Sequence, residues 1–298
     1  MKRFLSLLLI IFALPAGVFS QEDEDDLLSL LGEEQPTIDF ITASFKTNRV
    51  INLHSLENTA RGVLDVKISH RFGFVSGGIQ ELYGLDASMV RIGADFGLTD
   101  RICIGAGRNS FEKTFDGFLK YKFLRQSKGA KNMPVTAAAL ASMAIKTIPW
   151  RYPDRDNHPS SRLYYTFQLI VGRKFSEGFS LQLSPTLVHR NLVATVNESN
   201  DVYALGIAAR QKLNKRLAVN AEYIYVFPDQ LGSAFTNSLS IGLDIETGGH
   251  VFQLHFTNST SMVPKGYITE TVGDWAKGDV HFGFNVSRVF TVVKPKGF

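Results

Sequence analysis

Ser238-Leu239-Ser240-Ile241-Gly242-Leu243-Asp244-Ile245-Glu246 runs into Thr247-Gly248-Gly249 and then His250-Val251-Phe252-Gln253-Leu254-His255-Phe256-Thr257. Leu239, Ile241, Leu243 and Ile245 alternate with Ser238, Ser240, Gly242, Asp244 and Glu246, and after the glycines Phe252, Leu254 and Phe256 alternate with Gln253, His255 and Thr257. Successive side chains of a strand point to opposite faces, so this is a tight hairpin with one apolar and one polar face. A soluble sandwich alternates too, so periodicity alone leaves the environment open. Segment length and the content of the polar face decide it: spans of about ten residues suit a tilted membrane strand.

The same rhythm extends in both directions. Val63, Asp65, Lys67, Ser69 and Arg71 oppose Leu64, Val66, Ile68 and His70; Val90, Ile92, Ala94 and Phe96 oppose Arg91, Gly93 and Asp95. Phe115, Gly117, Leu119, Tyr121 and Phe123 oppose Asp116, Phe118, Lys120 and Lys122, and near the end Phe282, Phe284 and Val286 oppose His281, Gly283, Asn285 and Ser287. The pattern predicts strands over Thr42–Asn52, Val63–Phe72, Ser88–Gly97, Arg101–Ser110, Thr114–Leu124, Val135–Ile148, Arg162–Phe175, Phe179–Leu192, Val202–Lys212, Leu217–Phe227, Asn237–Glu246, His250–Asn258 and Val280–Phe290. Bacterial single-chain barrels have even strand numbers, with short periplasmic turns and longer outer loops. Leu98–Asp100, Ser176–Gly178, Leu213–Lys215 and Thr247–Gly249 are tight; Phe74–Ala87, Pro149–Ser161, Pro228–Thr236 and Ser259–Asp279 are long. Counted back from Phe290, twelve strands from Val63 satisfy the alternation, while Phe111–Lys113 is short for an outer loop and Arg125–Pro134 long for a periplasmic turn. Thr42–Asn52 is therefore expected outside the wall, in the periplasm or as a plug in the lumen. The fold class expected is all-β, an antiparallel transmembrane barrel of about 12 strands.

The beginning of the chain gives the route. Lys2 and Arg3 precede an apolar run from Phe4 to Leu14, and Val18-Phe19-Ser20 leads to Gln21. This reads as a signal peptide over 1–20, cleaved after Ser20, too short to stay as a membrane anchor. Residues 21–36 read as an acidic spacer and 37–298 as the barrel, placed in the outer membrane. The chain's 32 Lys and Arg include Lys2 and Arg3, and seven of its 28 Asp and Glu fall between Glu22 and Glu34, so the remainder carries 30 bases against 21 acids, or +9. A basic body behind an acidic spacer suits an anionic partner, a spacer that folds back on the body, or a solvated tail, and the spacer is where a periplasmic partner is expected. The single cysteine, Cys103, permits no internal disulfide and reads as buried filler.

Catalytic signatures are missing: there is no G-x-S-x-G elbow, no C-x-x-C and no H-E-x-x-H, and the seven His are scattered. No enzymatic activity, cofactor, metal or nucleic-acid partner is expected. The informative set is the polar face: Lys67, Arg71, Arg91, Asp95, Asp116, Lys120, Lys122, Glu222, Asp244 and Glu246 are candidate lumen-lining residues. Lys67, Arg71, Arg91, Lys120 and Lys122 sit on nearby strands and would form a basic wall opposite Glu222, Asp244 and Glu246. Such a lumen suits passive, porin-like passage of small polar or anionic solutes. A filled lumen in a structural or partner-docking barrel is the alternative, and a barrel-borne hydrolase a second. Expected partners are outer-membrane lipid and the barrel-assembly machinery, which reads an aromatic C-terminal strand such as Gly283–Phe290.

Ile68-Ser69-His70-Arg71-Phe72-Gly73, Gly84-Leu85-Asp86, Gly107-Arg108-Asn109-Ser110-Phe111-Glu112-Lys113-Thr114-Phe115-Asp116-Gly117, Leu254-His255-Phe256-Thr257-Asn258 and Phe282–Phe290 stand in order along the chain. Together they resemble the domain of unknown function 5777 family, membrane-bound β-barrels of the Bacteroidota. The resemblance implies location and fold and carries no activity. It also directs interest to Ser259–Asp279 as a lid or lumen loop.

Overall fold

The computed structural model describes residues 37–196 and 198–294. The signal peptide expected over 1–20 and the whole acidic spacer expected over 21–36 lie outside these residues, as does the chain end from Pro295. Two short strands, β1 (Ile38–Phe40) and β6 (Ser127–Gly129), pair with each other. The other twelve close a barrel: β2 (Val63–Phe74), β3 (Ser88–Gly97), β4 (Ile102–Asn109), β5 (Thr114–Leu124), β7 (Thr136–Ile145), β8 (Leu163–Lys174), β9 (Phe179–Arg190), β10 (Asp201–Lys212), β11 (Leu217–Val226), β12 (Ser238–Thr247), β13 (His250–Thr257) and β14 (His281–Thr291). All neighbours are antiparallel, and the last strand seals against the first, with Asn285 opposite Ser69 and Ser287 opposite Lys67. Closure leaves no strand edge, the condition for placing strands in lipid.

The alternation seen in the sequence becomes two surfaces. Ile68, Leu119, Phe167, Ile241 and Phe256 stay exposed on the outside, where lipid takes the place of a protein core. Rings gather toward the strand ends, including Phe115, Tyr203 and Phe227 at one rim and Phe175, Phe179 and Phe290 at the other, as an interfacial aromatic girdle requires. The interior face carries the buried polar side chains, among them Gln168, Gln182, Glu222 and Gln253.

One end of the barrel carries tight turns such as Gly248-Gly249 and the other carries the longer connections. Arg125–Pro134, long for a turn, is explained by β6, which pairs Ser127, Lys128 and Gly129 with Phe40, Asp39 and Ile38. Phe111–Lys113, short for a loop, is a single 3-10 turn with left-handed backbone at Glu112 and Lys113.

Thr42–Asn52 does not form a strand. The expected extended segment is instead part of an irregular hairpin in which Arg49 bridges to His54. Val50, Ile51 and Asn52 are buried in succession rather than alternately, because the segment is packed on all sides inside the barrel.

Candidate functional site

The lumen is the candidate site, and it is occupied by the chain itself. Residues 44–59 enter from the turn end and rise to mid-barrel before returning to β2. The hairpin holds its own shape through Val50 N–H to the Leu53 carbonyl (2.8 Å) and Ser55 N–H to the Asn48 carbonyl (3.0 Å). Phe45, Val50, Ile51, Leu53, Leu56 and His54 are all buried.

An irregular buried segment has backbone groups that no ladder satisfies, and each must find a partner. Wall side chains supply them. The Glu222 carboxylate accepts the N–H groups of Ile51 (3.2 Å), Asn52 (2.9 Å) and Leu53 (3.0 Å). Successive turn N–H groups form such a cradle for negative charge. Gln253 Nε2 donates to the Val50 carbonyl (2.6 Å), Gln182 Nε2 to that of His54 (2.7 Å), and Lys120 Nζ to that of Ser55 (3.1 Å) and also to that of Glu57.

Apolar contacts complete the fit through missing side chains. A Cβ at Gly172 would stand 2.7 Å from Leu56 Cδ1, one at Gly206 would stand 3.0 Å from Leu53 Cδ1, and one at Gly242 would stand 3.1 Å from Ile51 Cδ1. Three wall glycines, on β8, β10 and β12, are thus the seats of three hairpin side chains. Nearby, Phe118 receives the edge of the His54 ring at 4.5 Å and the Arg49 guanidinium at 5.0 Å.

The predicted lumen residues divide into two uses. Lys67 sits between Asp65 (3.6 Å) and Asp95 (3.8 Å) and bonds Asn48, whose amide in turn donates to Asp95 at 2.6 Å. Arg91 grips Asp116 with two bonds of 2.9 and 2.5 Å. Lys122 faces Glu57 of the hairpin at 3.8 Å, and Glu246 takes Lys46 at 2.5 Å and Arg210 at 3.8 Å. Asp244 accepts from Gln253 at 2.6 Å. The expected basic wall is therefore not of one sign: Asp65, Asp95 and Asp116 interleave with its cations and neutralise them locally, because they share the same inward faces of β2, β3 and β5.

Arg71 joins three parts. It donates to the Ser259 (2.7 Å) and Ser261 (2.6 Å) carbonyls and to Asn52 Oδ1. Ser259 and Ser261 begin the β13–β14 connection, which turns into the barrel from the loop end. Its helical turn α1 (Pro264–Thr269) is buried at all six residues. Lys265 anchors it through Glu270 (2.8 and 2.7 Å) and Glu112, which also accepts from Lys146 at 2.6 Å. Burial raises the Glu112 pKa, but Lys265 and Lys146 outweigh it and hold the carboxyl below its ordinary value. The anchor is therefore complete at neutral pH and weakens in acid, as pH falls through that lowered range.

The sequence reading overlooked the neutral partners. Asn48, Asn52, Gln182 and Gln253 lie on the hairpin or on inward positions of the wall, and their amides bond backbone and charge alike. For Gln182 and Gln253 the inward parity of the wall strands was the available signal, and for Asn48 and Asn52, on the irregular hairpin, there was none. Among the described residues no group of three His, Cys, Asp or Glu is placed to hold a metal.

A closed twelve-strand barrel with a lipid-facing exterior and a filled polar lumen defines the class, a membrane β-barrel. The chain belongs to the family described as membrane bound beta barrel domain (DUF5777), whose model matches residues 45–290. The matched region begins within the lumenal hairpin. No curated protein matches the chain. Among solved structures it is similar to a NanC porin, at 8% identity and TM-score 0.46, with 76% of this chain and 98% of that one covered. It is also similar to the COG4313 outer membrane channel from Pseudomonas putida F1, at 14% identity and TM-score 0.45, with 79% and 98% covered. The outer membrane protein Omp33 of Acinetobacter baumannii is a third, at 9% identity and TM-score 0.39, with 76% and 97% covered.

Proposed function

We propose that the protein is an outer-membrane channel for small polar or anionic solutes, closed at rest by its own N-terminal hairpin. The carrying observation is how the hairpin is held. Its backbone is gripped by wall side chains, while the twelve wall strands satisfy one another without it. Side-chain hydrogen bonds exchange for water when a polar lumen is wetted, so withdrawing the hairpin would leave the wall intact, with the inward β13–β14 connection narrowing its loop end. The chain preceding the hairpin pairs at the turn end, through Ile38–Phe40 with Ser127–Gly129. That end is the periplasmic one in this reading, and a periplasmic partner acting on the acidic spacer would pull in the direction of exit. The signal peptide and barrel-assembly machinery would bring the protein to the membrane. The reading assigns it no catalytic step.

The test is conductance in planar bilayers of the full mature chain and of a variant with residues 44–59 replaced by a Gly/Ser linker. The full chain is expected to be silent or to open rarely. The variant should conduct steadily, with a reversal potential in a potassium chloride gradient that shows modest anion preference. Silence from both, with the variant still folded by circular dichroism, would favour a closed structural barrel pinned also by Lys265 and Glu112.

A further inference from the structure

Four cationic side chains, Arg49, Lys67, Arg71 and Arg91, line one small cavity between the hairpin, the wall and the inward loop. Two of them are matched by carboxylates: Lys67 by Asp65 and Asp95, Arg91 by Asp116. The other two have no such close partner: Asp95 acts on Arg49, and Glu222 on Arg71, only from beyond ion-pair distance. Arg71 bonds only neutral oxygens, those of Ser259, Ser261 and Asn52, and its buried Nε has no acceptor. Arg49 meets the His54 ring and the face of Phe118. Neither guanidinium is within ion-pair distance of a carboxylate among the described residues. Glu222, the nearest acid of the hairpin seat, is taken by three backbone N–H groups.

Like charges brought together out of bulk water are costly unless a counter-charge accompanies them. The cavity has space for one. It measures about 20 Å3 by the room open to the centre of a water-sized sphere, and on that measure about 10–15 Å3 accommodates one water. A monatomic anion fits; a carboxylate, sulfate or phosphate does not.

We propose that this cavity binds one halide-sized anion, chloride in its ordinary setting, between Arg49 of the hairpin and Arg71 of the wall. The ion links the two parts that must separate if the lumen is to open, so it stabilises the closed barrel. It also turns Arg71 into a four-way junction of wall, hairpin tip, inward loop and anion. The inference is independent of conduction, because the site would exist equally in a barrel that never opens.

Two measurements test it on the full mature chain in non-ionic detergent. The first is anomalous diffraction from crystals grown in sodium bromide. A bromide peak is expected between Arg49 and Arg71, and a map with no peak there, or with water alone, overturns the proposal. The second is the thermal midpoint by circular dichroism in sodium chloride against sodium gluconate at equal ionic strength. The midpoint should be higher in chloride by roughly 2–4 °C, rising with chloride concentration as a bound ligand requires. Arg71→Gln should remove that difference. The same difference in wild type and Arg71→Gln would mean a general salt effect and count against the site. If Arg71→Gln does not fold, Arg49→Gln takes its place, and the bromide map still decides.

Discussion

Replacing Glu222 with leucine is expected to destabilise the folded barrel by about 3–5 kcal/mol, the cost of leaving buried donors without their charged acceptor. Glu222 is 2% exposed and accepts three consecutive N–H groups at the hairpin tip. Leucine has similar bulk, so packing changes little while all three donors lose their acceptor. The hairpin then has two options: remain with unsatisfied N–H groups, or leave the lumen and solvate them. The second outcome separates this account from an ordinary core defect. A guanidinium midpoint shift should therefore be accompanied by new conductance in bilayers and by faster proteolysis between residues 44 and 59. Glu222→Gln keeps one carbonyl acceptor but turns an amide toward a donor, and it should show a smaller change in the same direction. A loss of stability with no gain in protease access would mean that Glu222 serves the wall rather than the hairpin.

The second large effect belongs to the lipid face. Leu119 lies at the middle of β5, is 50% exposed, and stands opposite Ile104 on β4 and Ala141 on β7. Leu119→Arg should cost about 2–4 kcal/mol, the penalty for a cation near the bilayer midplane. Ile92, an equally apolar position by sequence, faces outward at 58% exposure but stands opposite Arg108, itself on the outer surface. A side chain level with a native arginine lies nearer the headgroups, so Ile92→Arg should cost less. Folding into bilayers, followed by heat-modifiable migration on gels, measures both. Equal tolerance at Leu119 and Ile92 would place the hydrocarbon band elsewhere on the barrel.

The contrast between those two positions shows what the sequence could and could not reveal. Strand position and facing were legible because a period of two is a local property, punctuated by Gly248-Gly249 and its equivalents. The twelve-strand wall followed from the even strand count of such barrels together with the alternation of short and long connections. Depth was not legible, since tilt and register decide which residue of β4 stands level with Ile92.

The lumen was legible only as a list of polar inward residues. Their partners lie far away in the chain: Glu222 meets Ile51 across 171 positions and Arg71 meets Ser261 across 190. No local pattern encodes such pairs. For the same reason Thr42–Asn52 was misread as a strand. Ile51 looks like a strand residue until Gly242, the wall glycine that seats it, is seen against it. The expected basic wall failed similarly, because the neutralising acids lie on its own strands and only register shows which cation each one faces.

The most direct measurement is a cross-link at the hairpin tip. With Cys103→Ser to remove the native thiol, Leu53→Cys and Gly206→Cys place two thiols where Leu53 now packs against the bare backbone of β10. A short bifunctional thiol reagent, applied to the protein in bilayers, should join them in most molecules, with the linked peptides identified by mass spectrometry. Linked channels are expected to stay silent even after Glu222→Leu. Separate labelling of the two thiols, with no linked peptide, would show that residues 44–59 do not occupy the lumen and would contradict it.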